Sequence, residues 1–225
     1  MFLPFINLYE PSLPARSRKY MFSGNAIDAA EKQRYAFIYT FLRKGGDVLD
    51  ASIMQFIQQH FHNPVTDFLF PIITMLGEAG LVWLCTALIL LLIKKHRNGG
   101  VLLVAALAIT YLLGEVILKN VICRPRPFMD DPSVVLLIPP PSGFSFPSGH
   151  AASSFAAATM LLLLYRKKAI PALVMAILIA FSRIFLFVHY PSDVLAGAVL
   201  GTLCSLCLYA LYYSWKRNHV QDMVC

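Results

Sequence analysis

The sequence carries little charge for its length. Lys, Arg, Asp and Glu together account for 14% of the 225 residues, whereas apolar residues account for 58%, and the mean hydropathy is +0.64. A soluble domain of this size exposes too much surface to carry so few charges. The apolar residues also cluster into long runs, as they do in integral membrane proteins. The composition therefore excludes an ordinary soluble domain.

Two other signals are absent from the sequence. The first residues, MFLPFINLYEPSLPARSRKY, have a short apolar start but lack the basic segment that opens a secretory signal peptide. The long apolar runs lack the alternation of apolar and polar residues that marks a β-strand, so the segments that cross the lipid are expected to be helices. The sequence therefore predicts an all-α fold.

Five apolar runs are candidate membrane spans. A span needs about 20 residues at a rise of ~1.5 Å each, and the third run reaches that length if its helix begins near Pro147. We expect an all-α integral membrane bundle of about five transmembrane helices, preceded by an N-terminal interfacial helix. The five runs are Phe68–Ile93, Val101–Leu118, Ala151–Tyr165, Ile170–Val188 and Val194–Ser214.

Basic residues in the connecting segments orient this bundle. They follow the first, third and fifth runs, which end on one side of the membrane if all five runs cross it, and the positive-inside rule makes that side cytoplasmic. Topology thereby explains the net charge of +7. Nucleic-acid binding is not expected, because the basic residues are divided among short loops. These residues are Lys94, Lys95, Arg97, Arg166, Lys167, Lys168, Lys216 and Arg217.

The opposite side of the membrane receives three polar segments, KNVICRPRP (119–127), PSGH (147–150) and SRIFLFVHYPSD (182–193). Single residues have ordinary explanations: Lys119 snorkels at a helix end, His150 caps or packs, and Asp193 suits the first turn of a helix. Arg183 is harder to explain, because a guanidinium inside an apolar run is costly unless it faces a cavity or an anion. Collected on one membrane face, the set indicates a site. It comprises Lys119, Arg126, Ser148, His150, Arg183, His189 and Asp193.

The predicted helix starts suit an anion. Pro147 and Pro191 each fit the first position of a helix, where the absent N–H costs nothing. The first turn after Pro147 then presents Ser148, Gly149 and His150. The unpaired N–H groups and positive dipole end of that turn attract an anion, and Gly149 leaves room for it to come close.

The remaining residues match the chemistry of phosphoryl transfer. The three cations of this face complement the charged oxygens of a tetrahedral phosphate. Asp193 can fix one nitrogen of His189 as N–H and leave the other nitrogen free to attack phosphorus. His150, on another helix, is then placed to protonate the departing oxygen.

The spacing of these residues resembles that of the type 2 phosphatidic acid phosphatase (PAP2) superfamily, whose pattern is K-x6-RP, PSGH and SR-x5-H-x3-D, over roughly residues 50–214. The resemblance implies a metal-independent membrane lipid phosphatase that needs no cofactor and forms a phosphohistidine intermediate. It also implies a multi-pass protein of the cell membrane with its active site on the extracytoplasmic face. By position, His189 is the nucleophile, Asp193 its orienting partner and His150 the acid. The implied phosphate ligands are Lys119, Arg126, Ser148, Gly149 and Arg183.

The resemblance also divides the chain. We expect a PAP2-type membrane phosphatase domain over residues 47–215 and a short C-terminal tail over residues 216–225. Residues 1–46 form an N-terminal tail whose side of the membrane the sequence leaves open, because the tail is basic although five spans place it on the non-cytoplasmic side.

The substrate is predicted from the segment before the first span. Residues 48–80 look like the entry segment of bacterial members that act on undecaprenyl diphosphate, which is the favoured substrate. Phosphatidic acid and phosphatidylglycerol phosphate stay open, because a phosphate site does not read the lipid tail. Arg124 is an extra cation that favours a diphosphate or contacts lipid headgroups. Five apolar residues of this segment either form the lipid-facing stripe of an interfacial helix or belong to a helix packed on the bundle. They are Val48, Ile53, Phe56, Ile57 and Phe61.

Other functions remain open as alternatives. They are a lipid phosphotransferase of the same family, a non-catalytic lipid-binding or transport relative, and a vanadium haloperoxidase with the same oxyanion motif. Such haloperoxidases are soluble, and a non-catalytic relative would tolerate loss of the nucleophile, whereas both histidines and the aspartate are present here. The expected partners are a lipid phosphate and the bilayer, and the oligomeric state is left open.

Overall fold

The computed structural model describes residues 48–131 and 133–222, with side chains up to Asn218 in the last helix. The predicted tail of residues 1–46 lies outside the described residues. Within the described part every regular element is helical and no strand occurs, which confirms the all-α fold class.

Long helices form the body of the fold, and short helical turns connect them. A π-helical segment, Leu112–Leu118, continues the fourth helix into the fifth. Shorter 3-10 turns occupy Glu78–Gly80, Lys94–His96 and Arg166–Ala169. In chain order the helices are α1 (residues 48–60), α2 (Pro64–Leu76), α3 (Leu81–Leu92), α4 (Arg97–Tyr111), α5 (Lys119–Ile122), α6 (Pro127–Asp130), α7 (Gly149–Tyr165), α8 (Ile170–Phe185) and α9 (Pro191–Asp222).

Two helix starts bear on the site. Ser148 is the N-cap of α7, and its Oγ accepts a hydrogen bond from the Ala151 N–H at 3.5 Å. Pro147 therefore precedes the cap, and the prediction that it occupies the first helical position is wrong. The reason is that a serine hydroxyl can satisfy a free N–H of the first turn. Pro191 begins α9, as predicted.

Several helical stretches are long and apolar enough to cross a membrane, which supports an integral membrane protein. One of them contains both α7 and α8, two helices that pack against each other across the turn Arg166–Ala169. The number of crossings, predicted as five, stays a prediction. In the described part the candidate stretches are Lys94–Asp130, Gly149–Phe185 and Pro191–Asn218, with the pair Pro64–Leu76 and Glu78–Leu92, bent by 44°, as a fourth if that pair is one span.

Helix α7 lies at the centre of the bundle and packs against α4, α8 and α9. The start of α9 approaches α7 closely because it carries Gly197 and Gly201. A side chain at Gly197 would collide with the carbonyl oxygen of Ser148, and one at Gly201 with that of Ala152. Small residues of this kind allow close helix packing in lipid. The packing holds the first turn of α9 beside the start of α7, where the Ser148 N–H donates to the Asp193 carbonyl at 3.0 Å.

Helix α1 only partly matches the predicted lipid-facing stripe. Ile57 is 4% exposed and packs against Phe185 and Val188 at the end of α8, so its assignment to the stripe is wrong. Helix α1 thus packs on the bundle through one side and leaves the other open. The exposed members of the predicted stripe are Val48, Ile53, Phe56 and Phe61.

Candidate active site

Three distant segments of the chain meet at one cavity of about 1040 Å³. They are the end of the α4–α5 helical stretch with the loop after it, the start of α7, and the connection from α8 to α9. Their meeting follows from the antiparallel packing of α7 and α8, which brings the start of one beside the end of the other. The predicted residues that line the cavity are Lys119, Arg126, Gly149, His150, Arg183 and His189.

Ser148 and Asp193 do not line this cavity. Both are fully buried behind it, at 0% exposure. The Ser148 hydroxyl caps α7, so this residue shapes the start of the helix and does not line the cavity. Asp193 instead belongs to the hydrogen-bond network around His189.

His189 is buried with its two ring nitrogens in different environments. Its Nε2 lies 3.1 Å from Nη1 of Arg126, and its Nδ1 lies 3.7 Å from Oδ2 of Asp193. A guanidinium only donates, so Nε2 is the unprotonated acceptor and the proton resides on Nδ1. Burial lowers the pKa of His189 to about 3, with the nearby Asp193 carboxylate opposing this shift and the nearby Arg126 and Arg183 charges adding to it. His189 is therefore neutral near pH 7.

Ser145 joins His189 to Asp193. Its Oγ donates to Asp193 Oδ2 at 2.5 Å and lies 3.3 Å from His189 Nδ1. The same Oδ2 also accepts the N–H of Tyr190 at 2.9 Å. Ser145 was not predicted from the sequence, because a serine in a loop rich in proline and glycine is typical of a turn. Its only sequence signal is its position, two residues before Pro147.

Arg124 points away from the cavity and toward the carboxylates behind it. Its Nη1 donates to Asp193 Oδ1 at 2.7 Å, its Nη2 donates to Asp50 Oδ2 at 2.8 Å, and its guanidinium lies 3.9 Å from the ring centre of Tyr190. The expectation that Arg124 contacts a diphosphate or a headgroup is therefore wrong. Two buried carboxylates draw the guanidinium inward, because each would otherwise lack a partner for its charge.

Asp50 connects helix α1 to this network. It is 3% exposed, and its carboxylate accepts the N–H of Ser192 at 2.9 Å and the Ser192 hydroxyl at 2.5 Å. The first turn of α9 is thus held by a residue more than 140 positions earlier in the chain. Asp50 was not predicted, because an acid near the start of a helix is ordinarily a solvated charge.

Arg126 is fixed by backbone carbonyls of the loop before α7 and of the segment before α9. Its Nε donates to Gly143 O, its Nη2 to Ser142 O and its Nη1 to Val188 O, each at 3.0 Å. The side chain is 3% exposed. The guanidinium is therefore preorganised beside His189 Nε2, where a bound phosphate would need positive charge.

Arg183 presents an unsatisfied donor at the cavity. Its Nη1 donates to Thr74 Oγ1 at 2.5 Å, while its buried Nε has no hydrogen-bond partner among the described residues. Buried donors are rarely left unpaired, because an unmade hydrogen bond costs free energy. A bound oxyanion would satisfy this donor.

His150 also keeps a ring nitrogen unpaired. The Glu78 carboxylate lies 3.5 Å from His150 Nε2, but the geometry does not make a hydrogen bond. The Glu78 side chain is 75% exposed, so its carboxylate lies between the partly buried imidazole and solvent. This arrangement suits a group that exchanges protons.

No group of three or more His, Cys, Asp or Glu side chains is arranged to hold a metal ion among the residues that the structure describes. The cavity lining includes three cations, two imidazoles and the start of a helix, a set of groups that suits an anion.

Comparison with known proteins places residues 99–217 within the PAP2 superfamily. The undecaprenyl-diphosphatase of Sulfolobus acidocaldarius is 39% identical over 144 residues, which are 64% of this chain and 69% of that protein. The decaprenylphosphoryl-5-phosphoribose phosphatase of Mycobacterium tuberculosis is 38% identical over 126 residues, 56% of this chain and 68% of that protein. A crystal structure of a PAP2-type phosphatidylglycerolphosphate phosphatase from Bacillus subtilis has 26% identity and a TM-score of 0.64, and the match covers 80% of this chain and 92% of that chain.

Proposed function

The chain belongs to the PAP2 superfamily and is a lipid phosphate phosphatase of the membrane, and we propose that it hydrolyses a polyprenyl diphosphate through a covalent intermediate on His189. The observation that supports this most directly is the state of His189. A neutral imidazole has its unprotonated Nε2 at the cavity, 3.1 Å from the Arg126 guanidinium. A nucleophile and a charge that stabilises the attacked phosphate therefore lie side by side.

The first step transfers the phosphoryl group to the enzyme. The lone pair of His189 Nε2 attacks phosphorus, and the bond from phosphorus to the leaving oxygen breaks with its electron pair on that oxygen. His150 gives the leaving oxygen its proton. Asp193 and Ser145 stabilise the positive imidazole that results, because both lie at the Nδ1 side of the ring.

The second step releases inorganic phosphate. His150 takes a proton from a water molecule, the water oxygen attacks phosphorus, and the bond from phosphorus to His189 Nε2 breaks with its electrons on nitrogen. The charge on the phosphoryl oxygens is balanced by Lys119, Arg126 and Arg183, with Gly149 at the helix start. Ser148 supports this end as the cap of α7.

The rest of the cavity suits a lipid chain. Its lining also includes apolar side chains from α2, α3 and α4 and from the loop between α6 and α7. An apolar wall favours an isoprenoid or acyl chain, and the curated relatives named above act on polyprenyl compounds. Undecaprenyl diphosphate is therefore the favoured substrate. Apolar residues of this wall include Met75, Leu84, Val104, Leu107, Leu137 and Ile138.

A substrate panel tests the proposal. Full-length protein in detergent, with EDTA present, is given undecaprenyl diphosphate, phosphatidic acid and phosphatidylglycerol phosphate at equal surface concentration, and inorganic phosphate is measured. We expect the fastest release from undecaprenyl diphosphate and none from the His189→Ala variant. Faster release from either glycerolipid would refute the polyprenyl assignment.

The same preparation separates the alternatives. Transfer of phosphate to an added lipid acceptor, in place of release, would identify a phosphotransferase. Vanadate-dependent oxidation of bromide would identify a peroxidase, and binding of the lipid without any turnover would identify a non-catalytic relative.

We also propose that this cavity lies on the extracytoplasmic face, an orientation that the positive-inside rule supports. Reporter fusions in the loop of residues 94–98 test that placement, and we expect this loop on the cytoplasmic side. A reporter that is active only outside the cytoplasm would reverse the orientation.

A further inference from the structure

A carboxylate of the protein itself lies at the anion-binding end of the cavity. The two carboxylate oxygens of Glu115 accept hydrogen bonds from Lys119 Nζ at 2.6 and 2.7 Å. A side chain added at Gly149 would collide with Glu115 Oε1, so the carboxylate also lies directly against the first residue of α7. Glu115 therefore contacts two of the groups that the proposed mechanism reserves for phosphate.

The local helical geometry positions the Glu115 side chain beside Lys119 and the start of α7. It belongs to the π-helical segment Leu112–Leu118, and the N–H of Lys119 bonds to the carbonyl of Gly114, five residues earlier. Such wider turns are uncommon and recur at functional sites. Gly149 leaves the space that the Glu115 carboxylate fills. Glu115, Lys119 and Gly149 all line the cavity.

Glu115 and a bound phosphate compete for the same groups. Two of the three N–H donors of Lys119 are committed to Glu115, and two anions held against one helix start repel each other. The Lys119 side chain is only 12% exposed, so water does not readily replace a lost partner, whereas the Glu115 side chain is 30% exposed and water can solvate its carboxylate when the pair separates.

We propose that Glu115 is an internal competitor that sets the affinity of the site for phosphate. In the unliganded enzyme its carboxylate holds Lys119 and covers the start of α7. It moves aside when the phosphoryl group of the substrate enters, and it returns to displace inorganic phosphate after hydrolysis. The inference rests on the proposed function, because it takes the cavity end as the phosphate site. It makes Glu115 a specificity-determining residue, because a ligand has to offset the Glu115–Lys119 pair. A lipid gains the free energy for this from its apolar chain, whereas free phosphate lacks that contribution and binds more weakly.

Inhibition by inorganic phosphate tests this inference. Glu115→Gln keeps the shape of the side chain and removes its charge, so we expect the inhibition constant of inorganic phosphate to fall roughly tenfold, as suits the loss of one competing charged hydrogen-bond partner. Orthovanadate is expected to gain potency in the same direction. Asp131→Asn is the matched control: it removes the same charge from an exposed residue outside the cavity lining and should leave the inhibition constant within twofold.

The experiment distinguishes failure of the competitor role of Glu115 from failure of the proposed phosphatase function. If wild-type protein releases no phosphate from any lipid, the function is wrong. If wild type is active but Glu115→Gln has an unchanged or higher inhibition constant for phosphate, the competitor role is overturned. Calorimetric binding of inorganic phosphate to wild type and variant gives a readout without turnover. Should Glu115→Gln fail to fold, Glu115→Asp replaces it: its shorter side chain is expected to lower the inhibition constant by a smaller factor, and an unchanged constant would again overturn the role.

Discussion

Replacing Ser145 with alanine tests whether the hydroxyl between Asp193 and His189 contributes to catalysis. The Ser145 Oγ lies 2.5 Å from Asp193 Oδ2 and 3.3 Å from His189 Nδ1, whereas the direct separation of the imidazole and carboxylate is 3.7 Å. Ser145→Ala therefore removes a bridge and leaves the charge of Asp193 in place. Ser145 does not line the cavity, so binding of phosphate should not depend on it.

The expected size of the effect follows from the bonds that remain. A hydrogen bond to a charged group contributes about 1.5–3 kcal/mol, and about 1.4 kcal/mol corresponds to a factor of ten in rate. Asp193 keeps the Tyr190 N–H at 2.9 Å and Arg124 at 2.7 Å in the variant, which limits its reorientation. We therefore expect a loss near the lower end of this free-energy range, which corresponds to a decrease in kcat/KM of about tenfold.

The assay is single-turnover release of phosphate with purified protein in detergent. Ser133→Ala, an exposed serine in the same loop, is the matched control and should leave the rate unchanged. If Ser145 acts through Asp193, the double variant Ser145→Ala/Asp193→Asn should be no slower than Asp193→Asn alone. An unaltered rate in Ser145→Ala would refute the reasoning. The reasoning would also be refuted if the rate losses of Ser145→Ala and Asp193→Asn were fully additive in the double variant. It would be refuted as well if Ser145→Ala lowered the affinity for phosphate by the same factor as the rate.

Four further predictions concern the anion site and the two histidines. Arg183→Ala should weaken competitive inhibition by vanadate about tenfold or more, because the unpaired Nε and its partner donors are removed; unchanged potency in a dose–response series would exclude Arg183 as a phosphate ligand. EDTA should leave activity intact, because fixed cations surround the phosphate, and activity lost to EDTA and restored by magnesium would contradict this. His150→Ala should slow hydrolysis of a lipid monophosphate about 10²-fold or more but recover on a nitrophenyl phosphate, whose leaving group needs no proton; recovery in His189→Ala instead, measured as single-turnover nitrophenol release, would reverse the two roles. The pKa of His189 is lowered to about 3, so the native state excludes a proton that an unfolded histidine binds below about pH 6.5. Stability is therefore full above that pH and is lost as the pH falls toward 3, by up to about 1.4 kcal/mol per pH unit; the unfolding temperature in detergent should fall across this window and fall less in His189→Asn, and equal slopes would count against a buried neutral histidine.

The sequence by itself determined the class of the molecule and most of the cavity lining. Long apolar runs predict membrane helices because lipid leaves no other partner for backbone polar groups. Topology then gathers the ends of alternate helices on one face, which is why the sequence predicts that Lys119, His150, Arg183 and His189 meet. Costly residues, such as an arginine inside an apolar run, mark such a site in the sequence.

Only the tertiary structure decided how the residues around that lining are paired. Arg124 has the same sequence character as Arg126, yet Arg124 bonds to two carboxylates 69 and 74 positions away while Arg126 faces His189. The direction of a guanidinium depends on which buried acids lie within reach, and sequence spacing does not record that distance.

The same reason explains the other residues that the sequence did not reveal. Ser145 and Asp50 belong to common residue types in ordinary local contexts, and they become part of the site only through contacts across the bundle. Glu115 pairs with Lys119 one helical turn away, but its contact with Gly149 at the start of α7 is set by helix packing. Ile57 was assigned to the exposed stripe because helical periodicity identifies an apolar face without showing what covers it. Periodicity and hydropathy are local properties, whereas a partner across the fold is set by helix packing.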